Sequence, residues 1–274
     1  MSEFPRHLSP TDWTLAALAE ELVGAQGTLP DITARFAAEA GWDMVHQRVL
    51  ESGLAWEYSV DGEPRGQLPA SASVFPRHHA HLLKVWVGPV QFNAHYFDQA
   101  EVDFDVPGDV LGDAAGLDCL HAFMRWLAVV AGNTAVMAHE GVPSASLLEV
   151  APERGLGMEA VADGVRLADL RNVVFVEFGG AVAPRAAMRR AVNLDEWLVS
   201  AVTPDEATAA LSHVHLYDEV TTVEDEAVLF RIGEDLVDRW KRRIMSALPG
   251  RRFEVSVTNE EDDYGPTVWL LPVR

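Results

Sequence analysis

Glu101-Val102-Asp103-Phe104-Asp105-Val106-Pro107 and, shortly after it, Leu117-Asp118-Cys119-Leu120-His121-Ala122-Phe123-Met124-Arg125-Trp126-Leu127 carry two different periods. The first alternates apolar and acidic residues, which puts Val102, Phe104 and Val106 on one side of a strand and Glu101, Asp103 and Asp105 on the other. In the second, Leu117, Leu120, Met124, Leu127 and Ala131 recur at three- and four-residue steps, so Asp113 to Ala131 is a helix with one apolar face, closed by Gly132-Asn133. Upstream, His81 to Val87 and Val90 to Tyr96 read as strands joined by Gly88-Pro89; downstream, Thr134 to Ala138 reads as another. Strands in hairpin succession around one helix predict an α+β fold with mainly antiparallel sheets, and residues 78–150 are its first α+β unit.

Toward the amino end, Ser9-Pro10-Thr11-Asp12 is a helix start with Ser9 as N-cap, and Asp31 can cap a second helix carrying Ile32, Phe36 and Ala40. Asp43 to Glu51 reads as a third helix, and Leu54 to Val60 with Asp61-Gly62 as a short hairpin. Residues 1–66 are therefore expected to form a helical cap with the element order of a winged helix. The third helix, which would enter a DNA groove, has Arg48 as its one cation between Asp43 and Glu51, so packing explains it better than DNA binding. Residues 67–77, rich in Pro, Ala and Ser, read as a linker.

The second α+β unit spans residues 151–274. Val173 to Phe178 is a nearly continuous apolar run, which predicts a strand covered on both faces. His213 to Val220 alternates, and Glu226 to Leu248 is a long helix with Leu229, Leu236, Trp240, Ile244 and Leu248 on one face. Phe253, Val255 and Val257 then alternate in a strand, and Thr267 to Leu271 forms its neighbour. The order of elements resembles that of the first unit, without a residue-level repeat.

The chain has 274 residues, 42 acids against 21 bases, and a net charge of −21. Neither half carries the basic footprint that a phosphate backbone needs, so nucleic acid and anionic membranes are not expected partners, whereas basic proteins are steered inward. Cys119 is the sole cysteine, which excludes an internal disulfide. With no basic-then-apolar leader and no stretch of 18 uninterrupted apolar residues, the reading is a cytoplasmic protein. No phosphate-binding, dinucleotide or zinc-protease motif occurs, so neither a cofactor nor a metal is expected.

Between Lys84 and Arg125 there is no cation, while Asp98, Glu101, Asp103, Asp105 and Asp109 all lie inside; these five are the candidate partner-binding residues. Like charges along one strand face destabilise the free protein. A solvated face, a cation site, paired carboxylates for acid–base work and a surface for a basic partner all fit the pattern. The histidines His78, His79, His81 and His95, with neighbouring carboxylates, offer a catalytic alternative. His213 and His215 share a strand face and would need a third ligand, Asp98 or Glu219, to hold a metal. Gly179-Gly180 ahead of Arg185, Arg189 and Arg190 could seat an anion, although a tight basic connection explains them equally. Cys119 and His121 lie two residues apart on a helix, where side chains do not face each other, so Cys119 reads as a buried thiol.

The acidic strand Val102 to Pro107, the helix Leu117 to Leu127 and the strand that follows resemble small bacterial α+β immunity-type domains of polymorphic toxin systems, over about residues 98–140. That resemblance implies an inhibitor that occludes a toxin's active site and performs no chemistry of its own; the chain is larger than a minimal domain of this type. The leading expectation is thus an acidic binding protein, immunity-like, docking on a basic partner such as a toxin. The alternative is a hydrolase or transferase that uses the His78–His95 region. Oligomeric state is not legible from these residues.

Overall fold

The computed structural model describes residues 29–37, 41–75, 78–140, 142–153, 156–190, 203–259 and 265–273. The helix expected from Ser9 lies outside them. The chain forms two compact units, one ending at Ala168 and one beginning at Asp169, and the division falls within a helix, Met158–Arg171. The fold is α+β, and every strand pairing is antiparallel among the described residues.

The first unit is built on an eight-stranded sheet. Its strands are β1 (Asp31–Arg35), β2 (Ala55–Val60), β3 (Glu63–Arg65), β4 (His81–Val87), β5 (Val90–His95), β6 (Glu101–Asp105), β7 (Ala135–His139) and β8 (Val142–Val150). They lie in the order β3-β2-β4-β5-β6-β1-β7-β8. One sequence expectation is corrected here: Asp31 does not cap a helix, and residues 31–35 are a strand in the interior of the sheet. Asp31-Ile32-Thr33-Ala34-Arg35 alternates as a strand should, with Ile32 and Ala34 buried. The hairpin β2–β3 belongs to the same sheet, so the described part of residues 1–66 is not a helical cap, and the winged-helix order fails with its second helix.

Two helices carry the apolar face of this sheet. Helix α1 (Trp42–Glu51) docks through an aromatic cluster in which Trp42 lies 4.3 Å from the Tyr96 ring and donates its indole N–H to the Asp98 carbonyl at 2.8 Å. His46 donates from Nδ1 to the Pro69 carbonyl and accepts from the Tyr96 hydroxyl at Nε2, both at 2.9 Å; burial lowers its pKa and keeps it neutral for that role. Helix α2 (Ala114–Ala131) begins at Asp113, whose carboxylate accepts from the Gly116 amide, and ends at Gly132, whose φ of 70° suits a glycine. By length and composition α2 is apolar enough to cross a membrane, yet its window is 61% buried within the fold. Phe123 stacks on Phe92 at 3.8 Å and meets Phe104 edge-on at 5.0 Å, which seats the helix on β5 and β6.

Of the residues read as a linker, the described ones, 67–75, are tied to the core. Val74 is buried and Phe75 lies against Trp42 and Tyr96, because this segment supplies apolar side chains to the core. The Asp43 carboxylate accepts from both the amide and hydroxyl of Ser71 and ties the segment to α1. Helix α3 (Met158–Arg171) adds Val161, Val165 and Ala168 to the same core.

In the second unit, β9 (Phe175–Phe178) pairs among the described residues only with β10 (Ala181–Pro184). The expectation of a strand covered on both faces is corrected: Phe178 is 46% exposed, while it is Ala181 to Ala183 on β10 that are fully buried. Gly179 and Gly180, at φ 59° and 85°, turn this hairpin rather than joining a strand to a helix. Strand β10 intervenes before the short helix α4 (Arg185–Arg190), whose first amide donates to the Val174 carbonyl, so the anion seat is not formed there. Helix α5 (Pro204–Leu211) is followed by β11 (Val214–His215) and α6 (Leu216–Glu219), where a longer alternating strand was expected. Helix α7 (Glu226–Ala247) packs on a three-stranded sheet of order β11-β13-β12, with β12 at Phe253–Thr258 and β13 at Thr267–Pro272.

On α7, Trp240 is fully buried, donates its indole N–H to the Leu170 carbonyl at 2.8 Å and meets Phe175 edge-on at 5.4 Å. Ile244 is buried as its phase requires; Leu248 is only half-buried because the helix ends one residue before it. Trp240→Ala therefore empties a packed site and strands a carbonyl. The expected cost is about 3–5 kcal/mol, read as a lower urea midpoint by circular dichroism.

Candidate functional site

Antiparallel register decides which side chains share the polar side of the eight-stranded sheet. Asp103 lies opposite Thr33 on β1 and His95 on β5; Asp105 lies opposite Asp31 and Asn93; Glu101 lies opposite Arg35. Paired residues point to the same face. The polar face of β5, β6 and β1 therefore brings together Asn93, His95, Glu101, Asp103, Asp105, Asp31, Thr33 and Arg35.

Two strong contacts sit within it. His95 donates from Nε2 to the Asp105 carboxylate at 2.7 Å, and Asn93 donates to the other oxygen of Asp105 at 2.6 Å. That hydrogen bond holds the His95 imidazole above its usual range, in spite of partial burial. Arg35 reaches Glu101 at 3.2 Å, but its side chain is 82% exposed, so the pair is a solvated one of small net worth. Asp103 stands between these contacts. Burial pushes its carboxyl up to about 6, and the neighbouring Asp31 charge acts in the same direction. At the margin of the face, Phe97 is 60% exposed and its ring lies flat against His95 at 5.3 Å.

Of the five expected partner-binding residues, the structure brings Glu101, Asp103 and Asp105 together on this face. Asp98 precedes β6 and its carboxylate accepts from the Ala100 amide at 2.8 Å. Asp109 lies past the other end of β6, in a 3-10 turn at Gly108–Leu111. The sequence reading missed Asp31, Thr33 and Arg35, whose signal was the alternation of Asp31 to Arg35 with its β-branched Ile32 and Thr33.

The histidine stretch is divided by strand parity. Leu82 lies opposite His95 and shares its face, so His81 points to the other side, where its ring stacks with Tyr58 and shares a hydrogen bond with that hydroxyl. His79 donates to the Asp61 carboxylate at 2.6 Å. His78 to His95 thus form no single site. In the second unit His213 and His215 do come together, with ring centroids 4.1 Å apart, and His213 stacks on Trp269 at 3.8 Å. His215 Nδ1 lies 3.0 Å from the Thr267 hydroxyl. No group of three or more His, Cys, Asp or Glu converges as metal ligands among the described residues. Cys119 is buried in α2.

Comparison of the chain with protein-family models, with curated proteins and with solved structures finds no match. The functional reading rests on the chemistry of the sheet face.

Both shifts on this face give stability the same pH slope. Asp103 keeps a proton in the folded state up to about 6 that the unfolded chain releases near 3.8, so stability falls as pH rises between these values and stays lower above them. The stability from the raised His95 pKa is present below the unfolded value of 6.5 and is lost as pH rises through the folded one. Asp103→Asn removes the first effect. Urea denaturation at pH 8 should show the variant more stable than the parent by about 1 kcal/mol, given the solvent that reaches this half-buried face, with the difference vanishing near pH 4.

Proposed function

We propose that the chain is an acidic protein-binding protein, an immunity-like inhibitor whose polar sheet face docks on a basic protein such as a toxin. The observation that carries this reading is the cross-strand array of Glu101, Asp103, Asp105 and Asp31, held on one face of interior strands, where His95 hydrogen-bonds Asp105 and Arg35 pairs with Glu101. In the free protein these carboxylates repel one another, and a cation placed among them by a partner relieves that repulsion. The exposed Phe97 ring beside them suits a guanidinium, which stacks on an aromatic face while it hydrogen-bonds a carboxylate. Arginine on a basic partner is therefore the matching group. The net charge of −21 adds long-range steering to the same end.

The hydrolase or transferase reading is favoured by one feature of the same face. His95 and Asp105 form a hydrogen-bonded pair beside Asp103, a carboxyl whose proton affinity lies near that of an imidazole, and groups so matched are suited to general acid–base work.

Co-expression with the product of the adjacent coding sequence separates the two. For an inhibitor, a basic neighbour forms a stoichiometric complex whose affinity falls steeply between 50 and 300 mM salt. Asp103→Asn with Asp105→Asn should then weaken binding by about tenfold or more and flatten the salt dependence, with the fold intact by circular dichroism. An enzyme would instead lose turnover in Asp103→Asn while its binding partners stayed the same. Unfolding of the double variant would sink both readings.

A further inference from the structure

The three-stranded sheet of the second unit ends, among the described residues, on an edge strand. β12 is the last strand of its sheet among the described residues. Val273, opposite Arg252, donates its amide to the Arg252 carbonyl at 2.9 Å, which fixes the hydrogen-bonded pairs at Arg252, Glu254, Ser256 and Thr258. The amides and carbonyls of Phe253, Val255 and Val257 therefore point away from β13, toward the free edge. Along that edge runs an open cleft of about 800 Å³, floored by the consecutive residues Phe253 to Val257 and walled by one side of α7. A lining of consecutive strand residues means the cleft follows the strand's edge and not one of its faces.

The wall is apolar at Val237 and Met245, the latter 63% exposed, and acidic at Glu234 and Asp238; Glu254 adds a third carboxylate from the strand. These three carboxylates make no ion pair among the described residues, and Lys241 is the cation of the lining. Helix and strand are held in close approach at Gly233, where a Cβ would stand 2.6 Å from Val257, so the cleft has a rigid base.

We propose that this cleft binds an extended basic segment of a partner protein, which adds to β12 as a further strand. Strand addition satisfies the outward amides and carbonyls, and alternate side chains then fall on opposite faces. Residues opposite Phe253, Val255 and Val257 face α7 and meet Val237 and Met245, so they are apolar. The residues between them share the face of Glu254 and are basic. A second copy's β12 suits the cleft poorly: Phe253 to Thr258 contain no cation and would bring Glu254 to a site already lined with carboxylates. This edge belongs to the second unit, and its reading does not depend on that of the acidic sheet face.

The probe is a fluorescein-labelled peptide of alternating lysine and valine, seven residues long, titrated with the full chain by fluorescence anisotropy. Saturable binding is expected, and the valines, opposite the outward amides, carry the N–H groups that bond to the edge. N-methylation of the valines should therefore weaken binding about tenfold or more, as should Glu254→Lys, at an exposed position on the face the lysines share, with the circular dichroism unchanged. A peptide of alternating glutamate and valine should not bind. Equal binding of the N-methylated peptide would show attraction without strand addition and overturn the proposal. So would wild-type affinity in Glu254→Lys, binding lost only in Asp103→Asn with Asp105→Asn, or no saturation by about 1 mM. Sedimentation revealing a dimer that Glu254→Lys dissociates would assign the edge to a second copy and overturn it as well.

Discussion

The antiparallel insertion of β1 between β6 and β7 is the constraint on which the first unit depends. Its five residues pair with Glu101–Asp105 on one side, and Asp31, Ile32 and Thr33 pair with Ala138, Met137 and Val136 on the other, which joins five strands of the sheet to the remaining two. Ile32 and Ala34 enter the core beneath α2, while Asp31, Thr33 and Arg35 complete the polar face above β6. Without β1, β6 would be an edge strand and its carboxylates would stand in open solvent. Its presence makes Asp103 half-buried, and burial is the larger cause of that residue's raised proton affinity.

The sheet tolerates an acidic strand in its interior because each carboxylate is handled differently. Asp105 is held by two donors, His95 and Asn93, which stabilise its charge. Glu101 has a flexible arginine and water. Asp103 accepts no hydrogen bond from a side chain among the described residues, and burial makes it take up a proton more readily than an ordinary aspartate. One strand thus carries a locked charge, a solvated charge and a conditional charge within five residues. Such a surface changes with pH near neutrality more than its composition suggests.

Local period carried much of the fold. Helix α2 and strands β4, β5 and β6 follow the spacings read from residues 81–131, since each buries a face against a neighbour close in sequence. What the sequence did not reveal was set by distant partners. Asp31 has the chemistry of a helix cap, and only pairing with residues 101–105 and 135–139 makes its segment a strand. Val173 to Phe178 has a core strand's composition, yet the hairpin turned by Gly179-Gly180 gives the buried place to Ala181-Val182-Ala183. The histidines from His78 to His95 are close in sequence and divided in space, because neighbours on a strand point to opposite faces. On the acidic face, Glu101, Asp103 and Asp105 were legible from alternation alone; the β1 residues opposite them required the sheet order.

The position of β1 also sets a timetable. Its partners on β6 and β7 follow it by roughly seventy to a hundred residues, so during synthesis at about 5–20 residues per second the segment waits on the order of five to twenty seconds before either side can close. Ile32 and Ala34 have no permanent burial in that interval, and the loops to be closed place this sheet among slow, non-local folders. The strand that joins the two parts of the sheet is then the earliest of the eight to be made. Until β6 has been made, vectorial synthesis leaves residues 31–35 without either of the sheet partners that later cover them.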